Sequence, residues 1–251
     1  MTKPIISYVI PCYNCQSTIA ETVFSIKDTH EAYRAAKGLE SQWDQIEVIL
    51  VNDGSEDYTG SIIDELAIEY HNIIAMNHDN VGKGASRNAG NQMASADIIA
   101  VLDSDDWHIT DRTAYILKAF EATPDADIFY SGWLAKHLEN RHMGDEVPFH
   151  ADKLNPSMLA RTGEFGICHS TVAYKRETIL KYPYSEDRNK DDWAMLWNLF
   201  TNGCKFIYTD KILVCYRIKE SSYEKETDMN LANRIFKKKQ KIMEPFFQGA
   251  A

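Results

Sequence analysis

The residues best suited to chemistry in this chain are carboxylates placed where an apolar run stops. Residues 98–102 are continuously hydrophobic and lead straight into Asp103-Ser104-Asp105-Asp106-Trp107, three acids within four positions. Like charges this close raise one another's pKa and repel, so such a turn persists cheaply only in solvent or around a cation. An Asp-x-Asp at the mouth of a buried strand suits Mg²⁺ or Mn²⁺, hard ions that take carboxylate oxygens and leave positions for phosphate oxygens. The competing reading is a solvated acidic turn ahead of a helix that starts near Asp111, because Asp is favoured at turns and N-caps. A second acidic pair, Asp191-Asp192, precedes an apolar pattern through Leu196, Trp197 and Phe200. It offers either a proton acceptor or two acids that complement a helix dipole.

Three other short stretches carry polar groups of a different kind. Pro11-Cys12-Tyr13-Asn14 presents a flat ring on which a base can stack, or a ring that is simply packed. In Asn52-Asp53-Gly54-Ser55, Asp53 can accept from a base N–H or a ribose hydroxyl, and Gly54 lets the backbone come near. Asn80-Val81-Gly82-Lys83-Gly84-Ala85-Ser86-Arg87 puts a flexible loop, a helix start and a guanidinium together, a competent anion contact. It lacks the third Gly of a dinucleotide fingerprint and the Walker pattern. Cys12 and Cys15 have CxxC spacing, but no second pair follows to complete a zinc site. The odd count of five Cys, four of them in or beside apolar runs, argues against a disulfide framework. His137, His142 and His150 are irregularly spaced and read as surface histidines.

These stretches need elements to position them, and the hydrophobic pattern supplies an alternating series. Residues 5–10 read as a strand ended by Pro11. Thr18-x-x-Glu21 then reads as a capping box for a helix burying Ile19, Val23, Phe24 and Ile26. Residues 46–51 form the next strand, followed by a helix with Ile62, Ile63, Leu66, Ala67 and Tyr70 at helical spacing. A short strand at 73–76, a small-residue helix over about 85–94 and the strand at 98–102 complete the series. Strands and helices in this alternation predict right-handed crossovers and a parallel sheet buried on both faces. Ligands bind such sheets outside the carboxyl ends of the strands, where all four polar loops fall.

Composition narrows the function class. The chain has 251 residues, 44% hydrophobic and 25% charged, as expected for an ordinary globular protein. A formal charge of −10 argues against nucleic acid as a partner, because backbone phosphates call for a basic face. The apolar run near the N-terminus is too short for a signal-peptide core and no window reaches a membrane span, so a cytoplasmic location is expected. Toward the C-terminus, Met229, Ala232, Ile235, Phe236, Ile242 and Met243 fall near one helical face, with Arg234, Lys237, Lys238, Lys239 and Lys241 elsewhere. That helix either packs on the rest of the protein or makes peripheral contact with the inner face of an anionic membrane.

The ordered set Val-Ile-Pro-Cys-Tyr-Asn (9–14), Val-Asn-Asp-Gly-Ser (51–55), Asn-Val-Gly-Lys-Gly-Ala-Ser-Arg-Asn-Ala-Gly (80–90) and Leu-Asp-Ser-Asp-Asp-Trp (102–107) resembles family 2 glycosyltransferases of the bacterial polysaccharide and teichoic-type branch. The resemblance implies an α/β GT-A fold with a Rossmann-like, mostly parallel central sheet flanked by helices. It implies a catalytic domain over 1–222, with a nucleotide-binding half (1–107) and an acceptor and base half (108–222), followed by an amphipathic helix and tail (223–251). The implied reaction moves a hexose or N-acetylhexosamine, with inversion, from a UDP-sugar donor to a hydroxyl of a glycan, polymer or lipid-linked acceptor. Carried over by position, Pro11, Tyr13, Asn14, Asp53, Asn80, Arg87, Asp103 and Ser104 form the nucleotide site. Asp105, with Asp103, holds Mn²⁺ or Mg²⁺. Asp192 is the base, with Asp191 standing where the family usually has Glu. Arg217, Lys219 and His169 are secondary phosphate or substrate contacts, the last in a stretch that resembles a substrate-shaping strand. Lys219 departs from the family, where a His often stands; an ammonium cannot ligate a metal but can neutralise phosphate. A sugar nucleotidyltransferase and a non-catalytic nucleotide-sugar-binding module are the alternatives.

Overall fold

A computed structural model describes residues 3–137, 147–149, 167–185 and 191–218. In chain order its first elements are β1 (Ile6–Cys12), α1 (Ile19–Ala36), β2 (Ile46–Asp53), α2 (Thr59–Glu69), β3 (Ile73–His78), α3 (Lys83–Met93) and β4 (Ile98–Val101). There follow β5 (Trp107–His108), α4 (Arg112–Ala122), β6 (Ile128–His137), β7 (Val147–Phe149), β8 (Ala173–Lys175), α5 (Arg176–Lys181), α6 (Asp191–Thr201) and β9 (Phe206–Ile218).

Every residue of β1 is buried, because the strand has parallel partners on both sides and helices on both faces. The order β3-β2-β1-β4 is the expected parallel series. Alternate residues face opposite ways along a strand, so the core divides into two layers. Tyr8 and Ile10 pack with Ile19, Val23 and Ile26 of α1 and Ile63 of α2. Val9 and Val51 pack on the other face with Met195, Leu196 and Leu199 of α6. α3 also lies on this face, close enough that a Cβ on Gly90 would come within 2.5 Å of Val9.

Beyond β4 the series changes hand. β4 joins β8 antiparallel, and the sheet continues through β6, β9 and β5, with β7 paired to β6 off the main order. Parallel pairing still dominates, because the long β6 and β9 run parallel over residues 128–137 and 206–218. Arg112 fastens the antiparallel join: fully buried, it donates to the carbonyls of Val101 at 2.9 Å and Val172 at 2.8 Å.

Three local expectations need correcting. β1 does not end at Pro11; it runs on to Cys12 with Pro11 aligned to Val51, because pairing with β4 has already stopped at Val9 and a proline keeps its carbonyl. The Thr18 and Glu21 capping box does not form, and Thr18 makes no side-chain cap. Thr18 instead donates to the Ser104 carbonyl of the acidic turn described below, and Glu21 accepts from Arg217. The stretch leading to His169 is not strand at that residue: His169–Thr171 is a short 3₁₀ turn, and β8 begins at Ala173. The helix after the acidic turn does start as expected, with Asp111 as N-cap accepting from the Ala114 N–H at 3.2 Å. All five cysteines are free thiols. Among the described residues no helix is long and apolar enough to cross a membrane.

Candidate active site

The four loops at the carboxyl ends of β1, β2, β3 and β4 meet on one rim, and the first three hold one another by side chain to backbone hydrogen bonds. Asn14 stands at φ 48°, a left-handed conformation that Asn tolerates better than most residues. Its N–H donates to Ser55 Oγ at 3.0 Å, and its Oδ1 accepts from the Glu56 N–H at 2.9 Å. Gln16 and Asp57 repeat the exchange one turn later. Asn14 is therefore the latch between the first two loops, which leaves the neighbouring Tyr13 ring 48% exposed. Gly54 lies at φ 67°, and a Cβ there would meet the Asn80 nitrogen at 2.6 Å, so the second loop touches the third. Asp53 is buried beneath this contact, accepting from Val81 N at 2.7 Å and Gly82 N at 2.9 Å.

The acidic turn is closed by Asp106 N–H donating to the Asp103 carbonyl at 3.1 Å. Its three carboxylates then part company. Asp103 accepts from Nη2 of the fully buried Arg87 at 2.5 Å. Burial alone would raise its pKa, yet the charge of Arg87 wins and holds it below the ordinary carboxylate range. Arg87 in turn lies 5.4 Å over the Tyr184 ring. Asp106 is fully buried and accepts from Ser170 Oγ at 2.5 Å and Arg217 N at 2.9 Å. Burial first, then repulsion from Asp103 and Asp105, pushes its pKa well up. Asp105 is only partly buried.

The backbone of the turn is braced from behind. The Ser104 carbonyl accepts from Thr18 Oγ1 at 2.8 Å and Thr22 Oγ1 at 3.0 Å. The Asp105 carbonyl accepts from Arg217 Nε at 2.8 Å. Arg217 also donates to Glu21 at 2.6 Å and lies 4.8 Å over the Trp107 ring, so its guanidinium is directed at the turn itself. This is where the two capping-box residues have gone.

Asp192 lies in the first turn of α6, with Oδ2 at 3.8 Å from Lys83 Nζ at the start of α3. Burial opposes its ionisation, but the His169 ring, Lys83 and Arg87 bring its pKa down to about 2. His169 is itself neutral above about 3, chiefly through burial and the nearby Arg87 charge. At neutral pH the holding is thus done by the two cations. His169 is buried, with Nε2 at 2.8 Å from Tyr184 Oη. Asp191 opens α6, while its side chain, Lys219, His142, His150 and the segment 223–251 lie outside the described residues.

Sequence patterns did not disclose Thr18, Thr22, Ser170, Tyr184 and Asn88 as parts of the site. Asn88 had a signal, lying inside the third motif; it clasps the backbone of Tyr184, accepting at 2.9 Å and donating at 3.0 Å. Ser170 had none, because a serine 64 positions from Asp106 is matched to it only by the fold.

The profile described as glycosyl transferase family 2 matches residues 7–182. The Escherichia coli protein WfaP, named as a UDP-Glc:α-D-GlcNAc-diphosphoundecaprenol β-1,3-glucosyltransferase, is 26% identical over 87% of this chain and 79% of its own. Of two other bacterial relatives the chain spans only 36% and 31% of the length. Among solved structures, Staphylococcus aureus TarS in complex with UDP-GlcNAc superposes with a TM-score of 0.63 at 20% identity, covering 86% of this chain and 59% of that one. A Pyrobaculum calidifontis mannosyltransferase, in complex with GDP-Man and Mn²⁺, reaches 0.58 at 16% identity over 89% of this chain and 59% of its own. Both share the α/β architecture found here. With a matched profile spanning all four loops of the rim, the chain belongs to glycosyl transferase family 2.

Proposed function

We propose that this protein transfers a hexose or N-acetylhexosamine from a UDP-sugar to a hydroxyl of a glycan, polymer or lipid-linked acceptor, with inversion at the anomeric carbon. One observation carries the reading. Asp192 and Asp103, far apart in sequence, meet cations one turn apart on α3: Lys83 lies 3.8 Å from Asp192 and Arg87 lies 2.5 Å from Asp103. The start of α3 thus ties an ionised carboxylate of α6 to the acidic turn. The complex of TarS with UDP-GlcNAc and the lipid-linked substrate in the WfaP name support the donor and acceptor classes.

In this mechanism the acceptor oxygen attacks the anomeric carbon from the face opposite the diphosphate, and its proton passes to the ionised carboxylate of Asp192. The bond from the anomeric carbon to the diphosphate oxygen breaks, and UDP leaves with that electron pair. An acid held near 2 is a weak base. The diphosphate, placed beside Lys83, draws on that cation and loosens its hold on Asp192, so donor binding prepares the base. The acidic turn also fits a divalent cation: Asp103 and Asp105 offer hard oxygen ligands, the one or two carboxylates that Mg²⁺ commonly takes alongside substrate phosphates. Asp106, tied to Ser170 and Arg217, is placed to hold the turn and not the ion. When bound, Mg²⁺ or Mn²⁺ would neutralise charge on the leaving diphosphate. The protein would act in the cytoplasm.

The test is UDP release from a panel of UDP-sugars with Mn²⁺ or Mg²⁺. Release should need the cation, be lost in Asp105→Ala, and fall by about a thousandfold in kcat in Asp192→Asn with UDP affinity kept. Turnover unchanged in Asp105→Ala would overturn the metal assignment. Release from none of the donors would favour a binding module, and pyrophosphate-dependent exchange would favour a nucleotidyltransferase.

A further inference from the structure

Cys12 and Cys15 take no part in the mechanism above, yet they stand where three of the four rim loops meet. Cys12 ends β1 and is fully buried; Cys15 is 3% exposed and lies between Asn14 and Gln16, which are exposed. Cys12 Sγ donates to the Ile10 carbonyl at 3.4 Å, and the two thiols lie within hydrogen-bonding reach of each other. The neighbours of Cys15 are fastened to the second loop, Asn14 through Ser55 and Glu56, and Gln16 through Asp57 and Tyr58. Cys15 donates its own N–H to Thr59 Oγ1 at 2.8 Å. Its sulfur accepts from the Thr59 hydroxyl at 3.8 Å and is hydrogen-bonded to the Ser104 side chain of the acidic turn.

The two thiols are unequal, as in a redox pair. Burial pushes Cys12 and Cys168 well up and raises Cys204. Cys15 moves the other way, to about 7, because the Cys12 thiol stabilises its thiolate and outweighs burial, with Ser104 and Thr59 adding to the effect. A thiol partly ionised at neutral pH is well matched to attack an oxidant. Cytoplasmic thiols are reduced at rest, and disulfides formed there are usually transient and redox-sensing. A disulfide sets its sulfurs about 2.05 Å apart. Cys12 is fixed in β1 opposite Asn52, so the Cys15 sulfur is the one that has to move, away from Thr59 and Ser104.

We propose that Cys12 and Cys15 form a thiol switch on the donor site, closed by a peroxide and opened by a dithiol. The Cys15 thiolate attacks one peroxide oxygen, the O–O bond breaks, and Cys15 becomes a sulfenic acid while the other oxygen leaves as water. The Cys12 sulfur then attacks the Cys15 sulfur, the S–O bond breaks, and the departing oxygen takes the Cys12 proton and leaves as a second water. Two thiols and one hydrogen peroxide thus give one disulfide and two waters, with sulfur oxidised and peroxide oxygen reduced. The closed form draws the Cys15 sulfur off Ser104, and the first loop, which holds Tyr13 and Asn14 between the two cysteines, loses that tie to the acidic turn. What the switch controls rests on the UDP-sugar reading; the disulfide itself does not.

The full chain, first reduced, is treated with hydrogen peroxide and mapped by mass spectrometry of unreduced tryptic peptides, with UDP binding measured on the same samples. The peptide that holds Cys12 and Cys15 should lose the mass of two hydrogens, UDP affinity should fall about tenfold, and dithiothreitol should restore both. In Cys12→Ser, whose hydroxyl can still donate to the Ile10 carbonyl, the link should not form and dimedone should trap a sulfenic acid at Cys15. If that variant folds poorly, the peptide map of the unaltered protein decides by itself. The switch is overturned by a pair that stays reduced while other cysteines oxidise, or by a link from either member to Cys168, Cys204 or Cys215. A Cys12–Cys15 disulfide that leaves UDP affinity unchanged overturns it as well. Failure of the reduced protein to bind UDP while the disulfide forms would instead sink the donor reading, and with it the site that the switch controls.

Discussion

On the side of the rim formed by the first two loops, Asn14 and Ser55, like Gln16 and Asp57, hold neighbouring loops through hydrogen bonds to backbone, across separations of 41 and 42 residues. On the acidic side, the groups are carboxylates and guanidinium ions, and Arg217 reaches Asp105 across 112 residues. The first arrangement is a latch between adjacent crossover units and tolerates small losses. The second balances charges out of water, where each group depends on its partner. The two carboxylates of one turn make the point. Asp103 stays ionised because Arg87 is there, whereas Asp106, with neutral donors and two acids beside it, is pushed toward the protonated form.

Breaking the acidic side should cost most. Arg87→Met would leave Asp103 without its buried partner and should lower stability by about 3 kcal/mol, read from urea unfolding. A loss below about 1 kcal/mol would mean the turn is solvated and the contrast is wrong. Breaking the latch between the first two loops should cost less. Asn14→Ala removes one hydrogen bond and puts Ala in a left-handed conformation, together about 1–2 kcal/mol. The smallest effect has the opposite sign. With the folded pKa of Asp106 above its ordinary 3.8, the native state holds an extra proton between the two values. Stability therefore falls as pH rises through that window. Asp106→Asn, which is neutral and can donate to Ser170, should flatten this decline and gain on the order of 1 kcal/mol at pH 8. Thermal melts at pH 5 and pH 8 check it, and an equal loss at both would show that the carboxylate itself is needed.

How legible each part was follows from the range of its interactions. The four strand and helix units could be read from hydrophobic spacing because that pattern is local, and the rim loops from Gly, Asp and Asn at strand ends. The capping box failed because Thr18 and Glu21 have better partners in Ser104 and Arg217, which a local motif cannot see. The antiparallel join of β4 to β8 was likewise hidden, since β8 is only three residues long.

The sequence by itself determined the alternating fold and the family, and it singled out Asp103, Asp105 and Asp192 as candidates, because these depend on residue type and spacing. Only the tertiary structure decided their states. It set Arg87 on Asp103, Ser170 and Arg217 on Asp106, Lys83 near Asp192, and Tyr184 on His169. Charge and proton position depend on burial and on partners distant in the chain, and both come into being only when the chain is folded.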